Sequence, residues 1–472
     1  MNHKGILFYL GIYSLLVSFF SLLNILYSVY FSSFLNINSY LISLFVSLGM
    51  GILFCYLGRK SNKNILPQEQ IIIILSGFLL LPLLISIPYF LSSYNISFLN
   101  SYFESMSGFT VTGFSIFDNV EQIDEPLLLW RSSSQWLGGL FFLVAIVGTL
   151  GARNLKIKPN YLLPEVNSGG NFYNNFNLNF FKIFTIYSLS TVFIIFLYNV
   201  TDLRLFDSFN LAFTVVSSGG FLPKNNIDSL LINNMQIIIF SFTLLFPIFN
   251  FYFLYKIFLK RFSSHDHLED LHLSVIILLL TSLLYFFLIQ EEGVAKIFLN
   301  VVSSISTVGI SMYSSKLDVS LLFIILTVIG GSAISTTSGL KYIRFYILIK
   351  ISYQEIYKLV KPINVFNRNL FNPETKIYED DAKISFLVFI SFIIAIFILS
   401  SLLALDNLSF ENSFKLSILT LTNTVNSSLY GIGDLNFLNL NIFTKISLII
   451  FMIFAKIEII AVLYLLRKFI FK

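Results

Sequence analysis

Long apolar runs alternate along the chain with short polar segments rich in glycine, serine and threonine. The runs reach the roughly 20 residues that a membrane-spanning helix requires, whereas a membrane β-barrel is built from alternating segments of about ten residues. The pattern predicts an all-α integral membrane protein with ten spanning segments. They cover residues 5–31, 37–58, 71–92, 127–151, 180–200, 233–259, 273–290, 319–350, 384–405 and 438–466.

Four of the polar segments lie between consecutive spanning runs. These are ESMSGFTVTGFS at 104–115, VSSGGF at 216–221, SISTVGI at 304–310 and TNTVNSSLYGIG at 422–433. Each follows a stretch that is too short to span and fits a re-entrant half-helix. Irregular backbone at membrane depth is tolerated only where it is buried in protein or lines a water-filled cavity. We therefore predict four helix–pore-loop–helix repeats around one pore; an ordinary extracellular loop with a surface helix is the alternative.

The repeats divide the chain into five segments. These are a two-helix N-terminal prefix at 1–64, repeat 1 with its pore loop at 65–165, repeat 2 at 166–268, repeat 3 with an intramembrane loop at 269–376, and repeat 4 at 377–472. Lysine and arginine cluster after every second run, and the positive-inside rule places such clusters in the cytoplasm. Both termini are therefore predicted to be cytoplasmic, and the four loops to enter the membrane from outside.

Composition narrows the function classes. Hydrophobic residues make up 56% and charged residues 12% of the chain, and the mean hydropathy is +0.81, which excludes an ordinary soluble domain. A net charge of +5 without a basic patch gives no support for nucleic-acid binding. The single Cys55 excludes an intrachain disulfide and a cysteine metal cluster. Since neither a catalytic constellation nor a phosphate-binding GxxxxGK[ST] motif is visible, we expect no enzyme and no bound cofactor, with any nucleotide acting through a partner.

The loops carry the residue types of a cation filter. A dehydrated cation needs several oxygen ligands at once, and rings of backbone carbonyls from four loops supply them. Glycine in each loop removes the Cβ penalty on the φ values that align successive carbonyls. Recurrence of the motif in step with the helix pairs makes the four segments a stronger indication than any one of them.

Six stretches together resemble the TrkH family of bacterial potassium uptake proteins, within the Trk, Ktr and HKT superfamily. They are ESMSGFTVTGFS, WRSSSQWLGG at 130–139, FTVVSSGGF, VVSSISTVGI, GGSAISTTSGLKYIR at 330–344 and FAKIEI at 454–459. The resemblance covers nearly the whole chain, and the two-helix prefix is similar to TrkH rather than to the shorter KtrB type. It implies a homodimer with one pore per subunit in the bacterial cytoplasmic (inner) membrane, potassium as substrate, and a cytosolic nucleotide-binding ring of the TrkA type as gating partner.

The resemblance also implies which residues form the filter. They are Val111, Thr112 and Gly113; Ser217, Ser218 and Gly219; Thr307, Val308 and Gly309; and, aligned on the ending GIGDL, Ser427, Ser428 and Leu429. Gly113 favours potassium, because sodium-selective relatives often have serine there. Leu429 departs from the expected glycine and would resist a positive φ, so weaker selectivity is expected from the fourth loop.

The segment GGSAISTTSG at 330–339 lies inside the run 319–350, where such small polar residues can unwind a helix. In the family the matching segment is an intramembrane gate beneath the filter. That likeness assigns the gate role to Gly330, Gly331, Ser335, Thr336, Thr337 and Gly339. Close helix packing through small residues is the alternative.

Two ionisable residues, Lys456 and Glu458, lie within the last apolar run, and groups at such depth are functional by default. A cation at 456, where the family usually has arginine, would raise the barrier to conduction and so suits a gate. A structural ion pair is the alternative. The connector SSHDHLEDLH, which includes His267 and Glu269, is interpreted as a solvated cytoplasmic loop that could dock a ring partner; a metal cluster of its histidines and acids is the alternative.

These observations predict potassium uptake through four pore loops, gated by the intramembrane loop and a cytosolic partner. Three alternatives stay open. One is an ion-coupled secondary transporter with broken helices and a mid-membrane site. The second is a weakly selective potassium/sodium pore, and the third is a non-conducting regulatory homologue; both are raised by Leu429.

Overall fold

A computed structural model describes residues 3–59, 67–151, 176–251, 253, 267–288, 293–312, 319–360, 371, 377, 379–406 and 408–457. Within these ranges the regular elements are all helices, and six of them are long and apolar enough to cross a membrane. The predicted class of an all-α integral membrane protein is therefore confirmed. Most of the basic clusters behind the topology prediction, among them Lys60, Arg153, Lys260 and Arg467, lie outside the described residues.

The helices follow one another without strands in the described part of the chain. Their bounds are α1 His3–Tyr30, α2 Ile37–Gly58, α3 Pro67–Phe90, α4 Phe98–Phe109, α5 Glu125–Gly151, α6 Phe176–Val200, α7 Leu205–Ser217, α8 Asn234–Thr243, α9 Leu245–Ile248, α10 Leu268–Leu288, α11 Val294–Ile305, α12 Ser320–Ile329, α13 Tyr342–Val360, α14 Glu379–Ala404, α15 Phe410–Thr422 and α16 Ile442–Ile457.

The prefix helices α1 and α2 form a close antiparallel pair. Glycines let the backbones approach, since a Cβ on Gly58 would lie 2.6 Å from the Cβ of Phe8. The buried hydroxyls of Ser21 and Ser43 hydrogen-bond across the pair at 3.0 Å. Small residues and interhelical hydrogen bonds are the usual means of holding membrane helices together.

A long helix followed by a short one occurs four times, as α3–α4, α6–α7, α10–α11 and α14–α15. The short helices have 12 or 13 residues. At 1.5 Å per residue they extend only about 18–20 Å, too little for a hydrocarbon core of about 30 Å. Their C-terminal ends are buried.

Each of these helix pairs, together with the helix that follows its loop, forms one unit, and the units are numbered 1 to 4 in chain order. The four units close into a ring. Helix α5 of the first packs on α7 of the second, α8 of the second on α11 of the third, α12 of the third on α15 of the fourth, and α16 returns to α4. The unit order around the ring is therefore 1-2-3-4. Units 1 and 3 face each other across the centre, as do units 2 and 4.

Two of the predicted spanning runs are broken. The run 319–350 divides into α12 and α13 around residues 330–341, as its small polar residues indicate. The run 233–259 was expected to be one helix, but α8 ends at Thr243, α9 at Ile248, and Phe249 is extended with φ −75° and ψ 156°. The signal is Pro247, whose ring clashes with the carbonyl four residues earlier, that of Thr243.

Candidate ion-conduction site

The four short helices end in the same kind of turn. In each, one residue near the helix end has a positive φ, and the next N–H donates to the carbonyl five residues earlier, which is a Schellman-type helix end. The positive-φ residues are Val111 (62°), Ser218 (63°), Thr307 (58°) and Asn423 (47°). The bonds run from Thr112 N to Ser107 O at 2.9 Å, Gly219 N to Thr214 O at 2.8 Å, Val308 N to Ser303 O at 3.1 Å and Thr424 N to Leu419 O at 2.9 Å.

These turns fix how the loops correspond to one another. Counted from the positive-φ residue, the matching triplets are 111–113, 218–220, 307–309 and 423–425. Loops 1 and 3 have the register expected from sequence. The expected triplet of loop 2 starts one residue early, because Ser217 is still the last residue of α7. Gly220, rather than Gly219, corresponds to Gly113 and Gly309.

The expected register of loop 4 is wrong. Ser427 follows the turn, Ser428 and Leu429 belong to a short 3₁₀ helix, and Leu429 is buried without a positive φ. The alignment was anchored on GIGDL, which follows the loop in the sequence. The turn, however, is set by the end of α15, which precedes the loop. Asn423, a residue type that tolerates the left-handed region, was the available signal. Val425 therefore holds the position of the three glycines.

Two of the loops carry backbone strain at β-branched residues. Val111 and Thr307 are β-branched, and a positive φ is a genuine outlier for such residues. Each costs on the order of 1–3 kcal/mol and persists only where the surroundings over-determine it, which is typical of functional sites. In loop 4 the Asn423 side chain also donates to the Thr110 carbonyl of loop 1 at 2.8 Å, linking two neighbouring loops.

A cavity of about 620 Å³ opens on one side of the four loops. Its lining includes the three glycines and the half-buried Val425. Charged residues also line it: Asp118, Asp228, Asp434, Arg131 and Lys224. The position of the cavity, at the ends of all four loops, makes it the mouth of the candidate pathway.

A buried ion pair supports loop 1 from behind. The Nε of Arg131 lies 2.9 Å from Glu104 Oε1, with 2% and 0% of the two side chains exposed. Glu104 Oε2 accepts from Ile116 N at 2.8 Å, and Arg131 Nη2 donates to Ser115 Oγ at 2.8 Å. The guanidinium also lies 4.2 Å from the ring centre of Phe221 in loop 2. Charge-assisted hydrogen bonds hold the end of loop 1, and the cation–π contact links it to the end of loop 2.

At loops 2 and 3, neutral side chains hydrogen-bond the backbone that follows the turn. Asn300 occupies in α11 the place that Glu104 has in α4, and it exchanges hydrogen bonds with Met312 at 3.0 and 3.1 Å. Gln135, from the WRSSSQWLGG motif, accepts from Phe221 N at 3.3 Å. A Cβ on Gly219 would lie 2.2 Å from Gln135 Oε1, which explains the glycine there.

The segment 330–341 lies directly against loops 2 and 3. Ser218 Oγ donates to Thr336 O at 3.0 Å, and Ser338 N donates to Thr307 Oγ1 at 3.2 Å. Both contacts use the positive-φ residue of a loop. Lys341, which no sequence argument singled out for the site, is buried and folds back on the segment, donating to Ser335 O at 3.1 Å and Thr337 O at 2.6 Å.

The same segment is tied down on its other side. Ser332 N donates to Ile248 O at 2.9 Å, Phe251 N to Ile334 O at 2.7 Å, and Ala333 N to Glu269 Oε1 at 3.1 Å. Glu269 and His267 are buried, so the solvated reading of the connector is wrong for these residues; His265 and Asp266 lie outside the described ranges. The broken run at 243–249 places the Ile248 carbonyl where the segment needs an acceptor.

Two lysines meet near one aromatic ring. The Nζ of Lys456 lies 4.3 Å from the ring centre of Phe142, and that of Lys341 lies 5.8 Å from it. Lys456 is buried and donates no hydrogen bond to the described residues. Glu458, its partner in the structural alternative, lies outside the described residues. In the gate interpretation, positive charges on these two side chains beside the segment 330–341 would oppose the passage of a cation.

Replacing Lys456 by glutamine is expected to increase rubidium flux through the purified protein in liposomes, because the substitution removes one of these charges at nearly constant length. The melting temperature in detergent is the companion measurement. A lower melting temperature with flux that stays unchanged also when Val425 is replaced by glycine would assign Lys456 a structural role instead.

The ring of four short helices with facing loops is the architecture of a class of helical membrane transporters. Comparisons with known structures and sequences point to the same class. The crystal structure of the potassium transporter TrkH from Vibrio parahaemolyticus matches with a TM-score of 0.86 and 21% identity, covering 99% of each chain, which shows the fold. The Trk system potassium uptake proteins TrkG and TrkH of Escherichia coli are each 26% identical over 89% of this chain. They are covered to 90% and 89% of their own length.

An uncharacterized cation transporter of Methanocaldococcus jannaschii is 27% identical over 379 residues, 76% of this chain and 74% of its own. No family model matches the chain. The resemblance to TrkH-family proteins that the motifs indicate is thus confirmed over most of the sequence.

Proposed function

We propose that this protein transports potassium across the cytoplasmic membrane, through a pathway formed by its four loops. The observation that carries the proposal is the common turn at the end of all four short helices, together with relatives named as potassium uptake proteins. Four loops of the one chain reach the same mouth with the same turn, and together they provide carbonyl oxygens around a shared axis. Such a set of oxygens is what a dehydrated cation requires. The protein is a transporter rather than an enzyme, and potassium is its substrate rather than a cofactor.

The filter ligands in this proposal are backbone carbonyls of the matching triplets 111–113, 218–220, 307–309 and 423–425. The residues 330–341 are the gate, since they are buried against two of the loops and their removal would open the inner side of the pathway. Homodimer formation, a cytosolic nucleotide-binding ring as regulator, and cytoplasmic termini complete the proposal; they rest on the resemblance and on the charge pattern.

The test is rubidium tracer uptake into potassium-loaded liposomes that hold the purified full-length protein. We expect uptake that excess external potassium competes away and excess sodium does not. Equal competition by both ions would contradict potassium preference. Uptake that follows an imposed proton or sodium gradient at constant rubidium gradient would instead support an ion-coupled transporter.

A further inference from the structure

Val425 stands where the other three loops have glycine, and its side chain faces all of them. A Cβ built on Gly113 would lie 3.0 Å from the Cβ of Val425, one on Gly309 would lie 2.9 Å from its Cγ1, and one on Gly220 would lie only 2.5 Å from its Cβ. One isopropyl group therefore contacts three glycines that come from three different units.

The short distance between Val425 and Gly220 shows where the side chain of Val425 points. Units 2 and 4 are opposite in the ring, so loops 2 and 4 are separated by the central axis. A side chain of loop 4 that comes this close to the glycine of loop 2 must extend toward the axis and not outward into its own unit. The shortest of the three distances is the one across the ring.

We propose that Val425 narrows the pathway at the level of the filter glycines and limits the rate at which a cation passes. The proposal rests on the function proposed above. An apolar group at the axis offers no ligand to a dehydrated cation, whereas a ring of carbonyls would. Valine is β-branched and its χ1 is restricted, so the side chain does not readily turn aside. Passage then requires the start of loop 4 to move as a whole.

The hydrogen bonds of loop 4 bear on that movement. Asn423 donates to Thr110 O in loop 1, and Thr424 N is held by Leu419 O at the end of α15. Val425 is the first residue beyond these two attachments, and it is half-buried at the floor of the mouth. Val425 therefore follows directly on a part of loop 4 that two hydrogen bonds hold in place.

The experiment compares rubidium uptake by the full-length protein and by Val425→Gly in liposomes. The same comparison of valine and glycine at 425 is also made in proteins that lack residues 331–338. In those proteins the proposed gate does not hide the effect of residue 425 on uptake. Val425→Gly is expected to raise uptake by at least about tenfold, equivalent to about 1.4 kcal/mol of barrier. The matched control is Val200→Gly, which makes the same change at the exposed last residue of α6, and it is expected to leave uptake unchanged.

The outcomes separate this inference from the proposed function. Equal and measurable uptake with valine and glycine at 425 overturns the inference and leaves the function standing. No uptake by either protein, even with the shortened segment, overturns the function itself and with it the role of Val425. If Val425→Gly does not fold, as judged by gel filtration, Val425→Ala with Lys341→Met replaces the pair. Uptake then has to rise above that of Lys341→Met alone, and unchanged uptake overturns the inference.

Discussion

Replacing Arg131 by methionine is expected to lower the free energy of unfolding by about 3–5 kcal/mol, the usual cost of leaving a buried charge without its partner. Glu104 is fully buried, and its ion pair with Arg131 is closed by Ile116 and Ser115. Methionine keeps most of the volume but provides no donor. The carboxylate would then stay buried without its charged partner, with only the neutral donors Ile116 N and Ser115 Oγ.

The chain contains its own control for this prediction. Arg204 and Glu125 form another ion pair, but 61% and 33% of those side chains are exposed. An exposed pair contributes only about 0–1 kcal/mol, so Arg204→Met should change stability little. Melting of the purified proteins in one detergent, followed by tryptophan fluorescence, makes the comparison. Similar melting temperatures for the two variants would contradict the role given to Arg131.

A double variant separates the pair from the packing. If the cost arises from the orphaned carboxylate, Glu104→Gln combined with Arg131→Met should recover part of the lost stability, since glutamine is neutral and still accepts from Ile116 N. If the double variant is as unstable as the sum of the two single ones, the packing of Arg131 against Phe221 carries the effect instead.

Much of the fold follows from run lengths. Apolar runs near the thickness of a bilayer predicted the long helices, and the same argument showed that the stretches before each glycine motif were too short to cross. The break at 330–341 was also visible, because Gly, Ser and Thr replace helix-forming residues there. The break at 243–249 has an equally local cause in Pro247, which the apolar composition of the run concealed.

The site was predicted less completely because its register depends on three-dimensional geometry. In loops 1 and 3 a single glycine follows the turn and marks it. Loop 2 has two adjacent glycines, and only Gln135, distant in sequence, explains why Gly219 is one of them. In loop 4 the glycine is absent, so the motif drew attention to the wrong end of the segment. Lys341 and Glu269 look like ordinary surface charges until the chain folds them against residues 330–341.

Deleting residues 331–338 is expected to make the pathway leaky, because the deletion removes the two hydrogen bonds, at Thr336 and Ser338, that hold this segment against loops 2 and 3. Gate and Val425 are barriers in series, and the higher one sets the flux. With Val425 present the deletion should therefore increase resting rubidium uptake only modestly. In the Val425→Gly background it should increase uptake by about tenfold or more, which is the result of removing about 1.4 kcal/mol of barrier.

A milder variant tests the same gate without shortening the chain. Lys341→Met removes the ammonium group that holds Ser335 and Thr337, while the backbone between Gly330 and Tyr342 keeps its length. We expect an increase in the same direction as the deletion and smaller than it, measured as rubidium uptake in the Val425→Gly background. Unchanged uptake in both gate variants there would mean that residues 330–341 are a packing seam between helices and not the barrier that closes the pathway.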